Sequence, residues 1–450
     1  MAKSFDLIVI GTGAGATGVA SRCQNAGWQV AIVDNLPYGG TCQLRGCDPK
    51  KVLVGAAETM DWVRRLKGKG IEAGSARIDW PALMQFKQSF VDPVPEGNEK
   101  WLGGLGIETL HGQARFISPT TVAVEGEPLQ AKHVHIATGA VPADLGIQGQ
   151  EHMTTSTDFL DLQSLPPRIV FVGGGFISFE FAHVSARAGA EVTILHRGDK
   201  PLKGFDPDLV AMLVEKSRSL GIEIQLAAEV GEIKESGNGY EVVAATPQGE
   251  KRYEGDLVVH GAGRTPNIGH LGLDAAGVAY GSRGVEVNEY LQSVSNPAVY
   301  AAGDCADTVG LPLTPVGAYE GGIAAKNLLE GNCQPVSHPP MPSTVFTIPP
   351  LAAVGLQEAE AKSQGLRFDT HFGKTDSWYS LRRIGEDCSG YKVLVEEESG
   401  KILGAQILGS NAEELINLFT MAINGSISAE SIKDIIFAYP TYASDMGYMV

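Results

Sequence analysis

The stretch FDLIVIGTGAGATGVASRCQNAGWQVAIVD, residues 5–34, decides the fold of this chain. It begins as an apolar strand, passes through a glycine-rich turn into a helix-like segment, and ends in a second apolar strand that closes on Asp34. One strand, a crossover helix and a second strand within about 30 residues make a βαβ unit. The pattern Gly11-x-Gly13-x-x-Ala16 allows a tight turn, close backbone approach to a pyrophosphate, and close helix packing. With an acid positioned to bind a ribose hydroxyl, this stretch predicts a dinucleotide site.

A second stretch repeats the design. RIVFVGGGFISFEFAHVSARAGAEVTILHR, residues 168–197, has the same order of segments, with Gly173-x-Gly175-x-x-Ser178 at its turn. The apolar strands VAIV and VTIL of the two stretches are typical of parallel sheets covered on both faces. The sequence therefore predicts two dinucleotide sites on one chain.

The residues that end the second stretch indicate which nucleotide binds there. An acid at this point would hold the 2′-hydroxyl of NAD and repel a 2′-phosphate, but the strand ends in His196-Arg197. Arg197, with Lys203 and Lys200 after it, offers positive charge to such a phosphate. NADPH is the expected cofactor, and a solvated basic patch is the alternative interpretation.

Composition narrows the class of protein. A chain of 450 residues with 43% hydrophobic and 19% charged residues is ordinary for a globular protein of several domains. The formal net charge of −17 argues against nucleic acid as a partner, because phosphate binding needs a positive face. We find no secretory signal pattern and no apolar run of about 18 residues, so we expect a cytoplasmic protein without a membrane span.

Two of the six cysteines lie close together in GGTCQLRGCDPKK, residues 39–51. Cys42 and Cys47 have a spacing that can close a small disulfide loop, and a helix-like segment follows them. A helix N-terminus and the neighbouring Lys50 and Lys51 should lower the pKa of both thiols. A zinc site would need a second Cys or His pair nearby, so we expect no metal. The pair is predicted to be redox-active, and the other four cysteines, at positions 23, 305, 333 and 388, are expected to be inert core residues.

The segment GGTCQLRGCDPKK resembles the active-site segment of the flavoprotein disulfide reductases, the class I pyridine nucleotide-disulfide oxidoreductases. This family includes glutathione reductase, dihydrolipoamide dehydrogenase and mercuric ion reductase. Further family motifs extend the resemblance along the whole chain: ATG at 137–139, GGGFISFE at 173–180, GAGRTPN at 261–267, YAAGD at 300–304, LTPVG at 313–317 and TVFTIPPLAAVGL at 344–356.

The resemblance implies an α/β fold with two Rossmann-like dinucleotide-binding domains and an α+β C-terminal dimerisation domain, assembled as a homodimer. The expected boundaries are 1–150 and 281–338 for the two parts of the FAD-binding domain, 151–280 for the NAD(P)H-binding domain and 339–450 for the dimerisation domain. The residues expected to bind FAD or NADPH are Gly11, Gly13, Ala16, Asp34, Gly40, Thr41, Thr138, Gly139, Gly173, Gly175, Phe176, Ser178, Arg197, Lys203, Arg264, Asp304 and Thr314.

The resemblance also assigns catalytic roles. Cys47 would face the flavin and Cys42 would exchange with the substrate, while Glu180 would pair with Lys50 or Lys51 beside the flavin. Asp304 would bind the ribityl side of FAD. Thr314-Pro315 is typical of an N-cap followed by proline at the first helical position, and this helix would point its positive end at the flavin. Phe176 stands where the family often has a tyrosine over the nicotinamide pocket.

The chain departs from its family near the C-terminus. Disulfide reductases carry His-Pro-Thr-x-x-Glu there, in which the imidazole serves as acid and base for the substrate-facing thiol. This sequence has Tyr439-Pro440-Thr441-Tyr442-Ala443-Ser444, so tyrosine replaces the histidine and serine replaces the glutamate. A tyrosine with a pKa of about 10 is a poor base at neutral pH, which predicts slow exchange with ordinary disulfides. Tyr439 and Tyr442 are alternatively packed aromatics at the subunit interface.

The small-molecule electron acceptor is therefore left open. Mercuric ion reductase also places a tyrosine in this region, but it relays metal through a C-terminal cysteine pair that residues 447–450 lack. The acceptors that stay open are a disulfide or other thiol-reactive substrate, a soft metal ion, and a quinone. The alternative that is not an enzyme is a redox-sensing flavin-binding protein without fast turnover.

Overall fold

A computed structural model describes residues 3–450. Its strands are β1 (Lys3–Ile10), β2 (Val30–Asp34), β3 (Glu108–His111), β4 (Ala114–Ser118), β5 (Thr121–Val124), β6 (Glu127–Ile136), β7 (Ala140–Pro142), β8 (Arg168–Val172), β9 (Glu191–His196), β10 (Glu223–Leu226), β11 (Glu229–Ser236), β12 (Gly239–Thr246), β13 (Gly249–Gly255), β14 (Leu257–His260), β15 (Arg264–Pro266), β16 (Tyr280–Gly281), β17 (Gly284–Glu286), β18 (Val299–Ala301), β19 (Ala306–Asp307), β20 (Ser343–Val345), β21 (Leu351–Gly355), β22 (Phe368–Lys374), β23 (Gly390–Glu396) and β24 (Ile402–Leu408). Its helices are α1 (Ala14–Asn25), α2 (Gly40–Arg45), α3 (Cys47–Leu66), α4 (Trp80–Val91), α5 (Val94–Gly104), α6 (Ser156–Phe159), α7 (Phe176–Ala188), α8 (Pro207–Ser219), α9 (Leu273–Ala276), α10 (Thr314–Glu330), α11 (Glu358–Ser363), α12 (Tyr379–Arg382), α13 (Ala412–Asn424) and α14 (Ala429–Lys433). Short 3₁₀ turns span Gln150–His152 and Ala443–Tyr448.

The chain divides into two compact units. The first comprises the residues through Lys50, Phe86–Ala143 and Arg264–His338. The second comprises Lys51–Gln85, Asp144–Gly263 and Pro339–Val450. Within residues 3–450, no helix combines the length and apolarity needed to cross a bilayer.

The first unit is built on the predicted βαβ stretch. Strand β1 is buried from Leu7 to Ile10 and pairs in parallel with β2, with Leu7 opposite Val30. Gly11 has φ +106°, a conformation that an L side chain rarely adopts, and it turns the chain from β1 into α1. The sheet order β3-β2-β1-β6-β5-β4, with β18 beside β6, brings the carboxyl ends of the parallel strands β1 and β2 to one edge. Ligands of open α/β sheets bind at such an edge.

The second unit contains the repeated stretch. Strands β10-β9-β8-β14 form a parallel sheet, and α7 follows β8 just as α1 follows β1. The antiparallel strands β11, β12 and β13 form a separate small sheet within the same unit. Both Rossmann-like folds predicted from the glycine patterns are therefore confirmed.

The C-terminal part of the second unit is an α+β domain. Its antiparallel sheet has the order β20-β21-β24-β23-β22, and α13 packs on it through Leu415, Ile416 and Phe419. The apolar stretches YKVLVE and ILGAQIL form most of β23 and all of β24. The α/β fold class with an α+β C-terminal domain is confirmed.

A buried ionic network lies inside the second unit. The Asp61 carboxylate on α3 accepts from Arg187 on α7 at 2.7 Å and pairs with Arg65 one turn further along α3, also at 2.7 Å. Arg65 in turn pairs with Glu386 at 3.1 Å, and Arg187 donates to the backbone carbonyl of Ile348 at 3.0 Å. Each of these four charged side chains is 7% exposed or less. The network therefore links two helices to the C-terminal domain of the same unit.

Candidate active site

The first dinucleotide pocket lies at the carboxyl edge of the β1–β2 sheet. Several predicted cofactor residues line it, together with residues that the motifs did not single out: Ile10, Gly11, Thr12, Gly13, Val33, Asp34, Asn35, Gly40, Thr41, Arg45, Gly112, Ala114, Ala137, Thr138, Gly139, Asn267 and His270. Asp34 accepts a hydrogen bond from the Thr12 hydroxyl at 2.7 Å and from the backbone of Leu36 at 3.0 Å. The acid predicted to bind a ribose is thus fixed in place by its own turn.

The walls of this pocket fit FAD. A Cβ added to Gly11 would overlap the carbonyl oxygen of Ala137, and one added to Gly40 would overlap the backbone of Gly13. Glycine at these two positions therefore lets the turns that line the pocket pack directly against neighbouring backbone. Within residues 3–450, the buried Thr138 Oγ1 and Arg264 Nε have no hydrogen-bond partner, so both are open to a polar ligand.

Asp304 and Arg264 are two half-buried residues of opposite charge in the first unit. Burial raises the pKa of Asp304, and the positive charge of Arg264 opposes that shift. Burial lowers the pKa of Arg264, while Asp304 and then Cys47 act in the opposite direction. The charge of Arg264 is therefore influenced both by the residue predicted at the ribityl side and by the exposed Cys47.

The two cysteines flank a helical break. Cys42 lies on the short helix α2, Gly46 separates the helices, and Cys47 is the first residue of the 20-residue helix α3. The Cys47 Sγ lies 3.6 Å from the Thr314 Oγ1, and the Cys42 Sγ lies 3.8 Å from an Asp48 carboxylate oxygen. The free N–H groups and dipole of α3 favour a negative charge at Cys47.

The two thiols of the reduced pair are electrostatically different. A hydrogen bond from Cys42 lowers the pKa of Cys47 to about 6, with further support from the Thr314 hydroxyl and the charge of Lys50. The same hydrogen bond raises the pKa of Cys42, and burial adds to that rise. The prediction that both pKa values are lowered is therefore wrong for Cys42, because two adjacent thiols cannot both ionise easily.

This asymmetry predicts the pH dependence of alkylation. In the reduced protein, alkylation of Cys47 by iodoacetamide is expected to rise through pH about 6, since only the thiolate reacts. The Cys42→Ala variant removes the largest cause of the low pKa, so the midpoint for Cys47 should move upward. Peptide-resolved mass spectrometry measures both profiles, with the exposed Cys333 as internal reference. An unchanged Cys47 midpoint in Cys42→Ala would contradict this account.

The two neighbouring lysines have different environments. The Lys51 ammonium lies 3.5 Å from both Glu58 and Glu413 and 4.4 Å from the centre of the Phe346 ring. Lys50 is the lysine whose charge acts on Cys47. The structure thus places the charge of Lys50, not of Lys51, near Cys47, and the catalytic role of either lysine stays a prediction.

Glu180 is 2% exposed, and its carboxylate accepts from the backbone N–H of Phe346 at 2.7 Å. Its pairing with a lysine stays a prediction.

The helix α10 begins close to where the sequence indicated. Its N-cap is Leu313, so Thr314 is the first helical residue and Pro315 the second. The prediction of Thr314 as N-cap is therefore wrong by one position. Its hydroxyl is instead directed to Cys47. The uncapped N-terminus of this 17-residue helix presents positive potential beside the cysteine pair.

The second glycine-rich turn has the backbone conformation that its motif requires. Gly173 has φ +111°, and a Cβ there would overlap Gly261. Ser178 is fully buried, and a Cβ on Gly261 would overlap its hydroxyl, so the small third residue serves helix packing. Helix α7 begins after Gly175 with no acid in its first turn, which leaves its N-terminus open to an anion.

A loop with several basic residues lies beside this second turn. His196 accepts a hydrogen bond from the backbone of Gly174 at 3.1 Å, and Leu202 donates to the carbonyl oxygen of Gly174 at 2.9 Å. The loop carrying Arg197 and Lys203 is thereby held over the turn, and both side chains are exposed. Burial is the main cause that lowers the pKa of His196, and the charges of these two residues act in the same direction.

Phe176, the first residue of α7, is 51% exposed. Its role over the nicotinamide pocket stays a prediction.

The C-terminal tyrosines differ from each other. Tyr439 is 77% exposed, whereas Tyr442 packs against the core of the C-terminal domain near Arg383. Ser444 turns its hydroxyl to the backbone carbonyl of Thr441 at 2.6 Å. Tyr442 is thus a packed aromatic, and Tyr439 is the side chain of this segment that is open to a ligand or a second subunit.

The remaining cysteines match expectation with one correction. Cys23, Cys305 and Cys388 are buried, as predicted for inert core residues. Cys333 is exposed, so its assignment to the core is wrong; it lies just beyond the end of α10. Among residues 3–450, no group of three or more His, Cys, Asp or Glu side chains is arranged to hold a metal ion.

Fold and site together define a flavoprotein oxidoreductase with a cysteine pair, and the comparisons with known proteins agree. The family model for pyridine nucleotide-disulphide oxidoreductases matches residues 5–321, and the model for their dimerisation domain matches residues 341–450. The chain therefore belongs to the pyridine nucleotide-disulphide oxidoreductase family.

Individual relatives cover nearly the whole chain. Glutathione reductase of Burkholderia cepacia is 31% identical over 442 residues, which are 98% of this chain and 97% of that protein. Mercuric reductase of Staphylococcus aureus is 31% identical over 98% of this chain and 81% of its own length. Dihydrolipoyl dehydrogenase of Bacillus subtilis (strain 168) is 31% identical over 97% of this chain and 93% of its own length.

A solved structure shares the fold. The Cu(II) complex of RclA, the HOCl-induced flavoprotein disulfide reductase from Escherichia coli, has a TM-score of 0.88 at 26% identity. The match covers 98% of this chain and 99% of that one.

Proposed function

We propose that this protein carries electrons from NADPH through FAD to the Cys42–Cys47 pair and on to a thiol-reactive acceptor. The observation that carries the proposal is the Cys47 thiol at the start of α3. Its pKa is lowered to about 6 by a hydrogen bond from Cys42, and it lies 3.6 Å from the hydroxyl that begins α10. A thiolate stabilised in this way is suited to redox chemistry rather than to structure. FAD, when bound, supplies the hydride acceptor that links a nicotinamide to this pair.

The two cysteines take different parts in the reaction. Cys42 attacks the acceptor: as its sulfur bonds to one sulfur of a substrate disulfide, the substrate S–S bond breaks, and the Cys42 proton passes to the departing substrate thiolate. The Cys47 thiolate then attacks the Cys42 sulfur, the mixed disulfide breaks, and the second substrate sulfur leaves as a thiolate that takes a proton from solvent while the Cys42–Cys47 disulfide closes. The protein dithiol is oxidised by two electrons and the substrate disulfide is reduced by two.

A disulfide is the acceptor that the family relationship supports first, and a metal ion is the second candidate. The exposed Tyr439 stands at the motif position where disulfide reductases have their histidine. No imidazole is therefore available at that position to protonate a leaving thiolate. A soft metal ion needs no such proton, because it binds the thiolates directly. The RclA structure is a Cu(II) complex and another relative is a mercuric reductase, which supports testing both ions.

An acceptor panel tests the proposal. Purified yellow protein is reduced anaerobically with NADPH and then mixed with glutathione disulfide, a lipoamide-type disulfide, Hg(II), Cu(II) or a quinone. The proposal expects flavin reduction, a long-wavelength charge-transfer band with the Cys47 thiolate, and acceptor turnover that Cys42→Ser abolishes. Quinone turnover that survives Cys42→Ser, with every disulfide and metal ion inert, would contradict it, as would protein that takes up no flavin.

The preference for NADPH is tested by charge removal. The Arg197→Ala/Lys203→Ala variant should lower kcat/KM for NADPH by more than about a hundredfold, because each of its two charge-assisted contacts to a 2′-phosphate contributes about 1.5–3 kcal/mol. NADH, which lacks the phosphate, should be used unchanged. Arg218→Ala, an exposed arginine on α8, is the matched control. Equal losses with both nucleotides would show that these residues form only a solvated patch.

We propose a homodimer in the cytoplasm as the working state. The match of residues 341–450 to a dimerisation domain supports the dimer, as does the exposed apolar surface of that region, where Ile436 is 98% and Tyr439 77% exposed. A reducing compartment suits a protein whose exposed Cys333 has no disulfide partner among the described residues.

A further inference from the structure

The helix that carries Cys42 also carries an arginine in the cofactor pocket. Thr41 and Arg45 are four residues apart on α2, a spacing that places both side chains on one helix face. Both line the first dinucleotide pocket, together with the Gly11–Gly13 turn. Arg45 thus lies between Cys42 and Cys47 in the sequence, and it lines the predicted cofactor pocket.

The surroundings of Arg45 leave its charge available. Burial lowers the pKa of its guanidinium, opposed by the charge of Asp34 and assisted by that of Arg264. Within residues 3–450, the guanidinium makes no hydrogen bond and no ion pair, and Asp34 uses its two oxygens for Thr12 and Leu36. A half-buried guanidinium without a partner is costly unless an anion reaches it.

The position of Arg45 indicates which part of the cofactor it meets. Arg45 lines the pocket together with the Gly11–Gly13 turn, and the charges of Asp34 and Arg264 both act on its guanidinium. Asp34 is the acid predicted at the ribose, and Asp304, whose charge acts on Arg264, is predicted at the ribityl side. The anionic part of FAD is the pyrophosphate, which joins the ribose to the ribityl chain. The glycine turn at Gly11–Gly13 opens the uncapped N-terminus of α1 at the same place.

We propose that Arg45 binds the pyrophosphate of FAD and is a determinant of FAD affinity in this protein. The inference rests on the proposed function, because it requires FAD in this pocket. A guanidinium can bind phosphate oxygens through two parallel N–H donors, which a lysine or an apolar side chain cannot reproduce. The α2 helix then has two functions, since it holds Cys42 and binds the cofactor.

Dissociation of FAD from the holoenzyme tests the inference. Flavin fluorescence is followed on dilution of wild type, Arg45→Gln and Arg45→Lys. Loss of a charge-assisted phosphate contact predicts a Kd for FAD raised about tenfold to a hundredfold in Arg45→Gln and by less in Arg45→Lys. Arg283→Gln is the matched control, since Arg283 lies in the same unit, is 76% exposed and is absent from the pocket.

A competition measurement separates anion binding from a structural role. ADP contains the pyrophosphate and adenosine does not, so wild type should prefer ADP over adenosine as a competitor of FAD rebinding. Arg45→Gln should lose most of this preference. A variant that loses affinity for ADP and adenosine equally would overturn the inference, because Arg45 would then act only through Asp34.

The remaining outcomes distinguish this inference from the proposed function. If wild type binds FAD, and Arg45→Gln binds FAD as tightly and keeps the preference for ADP, the inference is overturned but the proposed function is not. Wild type that binds no FAD overturns the proposed function and the inference together. If Arg45→Gln does not fold, Arg45→Lys must still show a smaller ADP preference than wild type, and an unchanged preference overturns the inference.

Discussion

Replacing Cys47 by serine is expected to lower turnover of the thiol-reactive acceptor by about a thousandfold or more, the scale on which loss of an activated nucleophile lowers a rate. Without Cys47, the Cys42–Cys47 disulfide cannot close, so the protein dithiol cannot deliver two electrons. The thiolate favoured by the Cys42 hydrogen bond, the Thr314 hydroxyl and the start of α3 is lost as well. Stopped-flow absorbance and steady-state rates measure the two half-reactions separately.

The partial reactions make this prediction specific. Flavin reduction by NADPH should persist in Cys47→Ser, while the long-wavelength band on reduction should be absent. In Cys42→Ser the band should be present without reduction, because Cys47 has no disulfide partner and the serine hydroxyl can still donate a hydrogen bond to its thiolate. The matched control is Cys333→Ser, which removes an exposed thiol beyond α10 and should leave every rate unchanged. Near-normal acceptor turnover in Cys47→Ser would show that the cysteine pair is not on the electron path.

The largest effect on stability is expected from Asp61→Asn. This change removes one negative charge between Arg187 and Arg65, both of which are nearly inaccessible to water. Uncompensated charge in such a site destabilises by about 3–5 kcal/mol, much more than loss of an exposed ion pair. Urea denaturation and thermal unfolding of the holoprotein measure the change in the free energy of unfolding.

Two further variants test the cause of that loss. Glu215→Gln breaks the exposed pair with Arg218, where Glu215 is 73% exposed, and should change stability by less than about 1 kcal/mol. Combining Asp61→Asn with Arg187→Met should restore part of the lost stability, because the double variant no longer buries an unpaired guanidinium. If the double variant were less stable than Asp61→Asn alone, the packing of the Arg187 side chain would matter more for stability than its unpaired charge.

Much of the fold could be predicted because its signals are local. The first glycine turn, the apolar strands beside it and Asp34 lie within one βαβ stretch, and the structure confirms the strands, the turn and the helix of that stretch. The spacing of Cys42 and Cys47 similarly indicated a redox pair before any contact was known. Local patterns predict local structure because helix and strand periodicity and turn conformation depend on neighbouring residues.

Other features depended on residues far apart in sequence. Adjacent lysines on a helix point about 100° apart, so only the packing of α3 decides that Lys50 acts on Cys47 and Lys51 faces Glu413. The position of Tyr442 in a core and of Tyr439 on a surface is likewise decided by the C-terminal fold.

The sequence by itself thus determined the fold class and the two glycine-rich turns, and it predicted the reactive cysteine pair. The tertiary structure decided which thiol ionises, which lysine is near it, that Arg45 lines the pocket, and that Asp61 meets an arginine 126 positions away. The physical reason is that ionisation and buried charge depend on the groups within a few ångströms in space, and pairing across a long chain separation is set only when the sheets and helices pack.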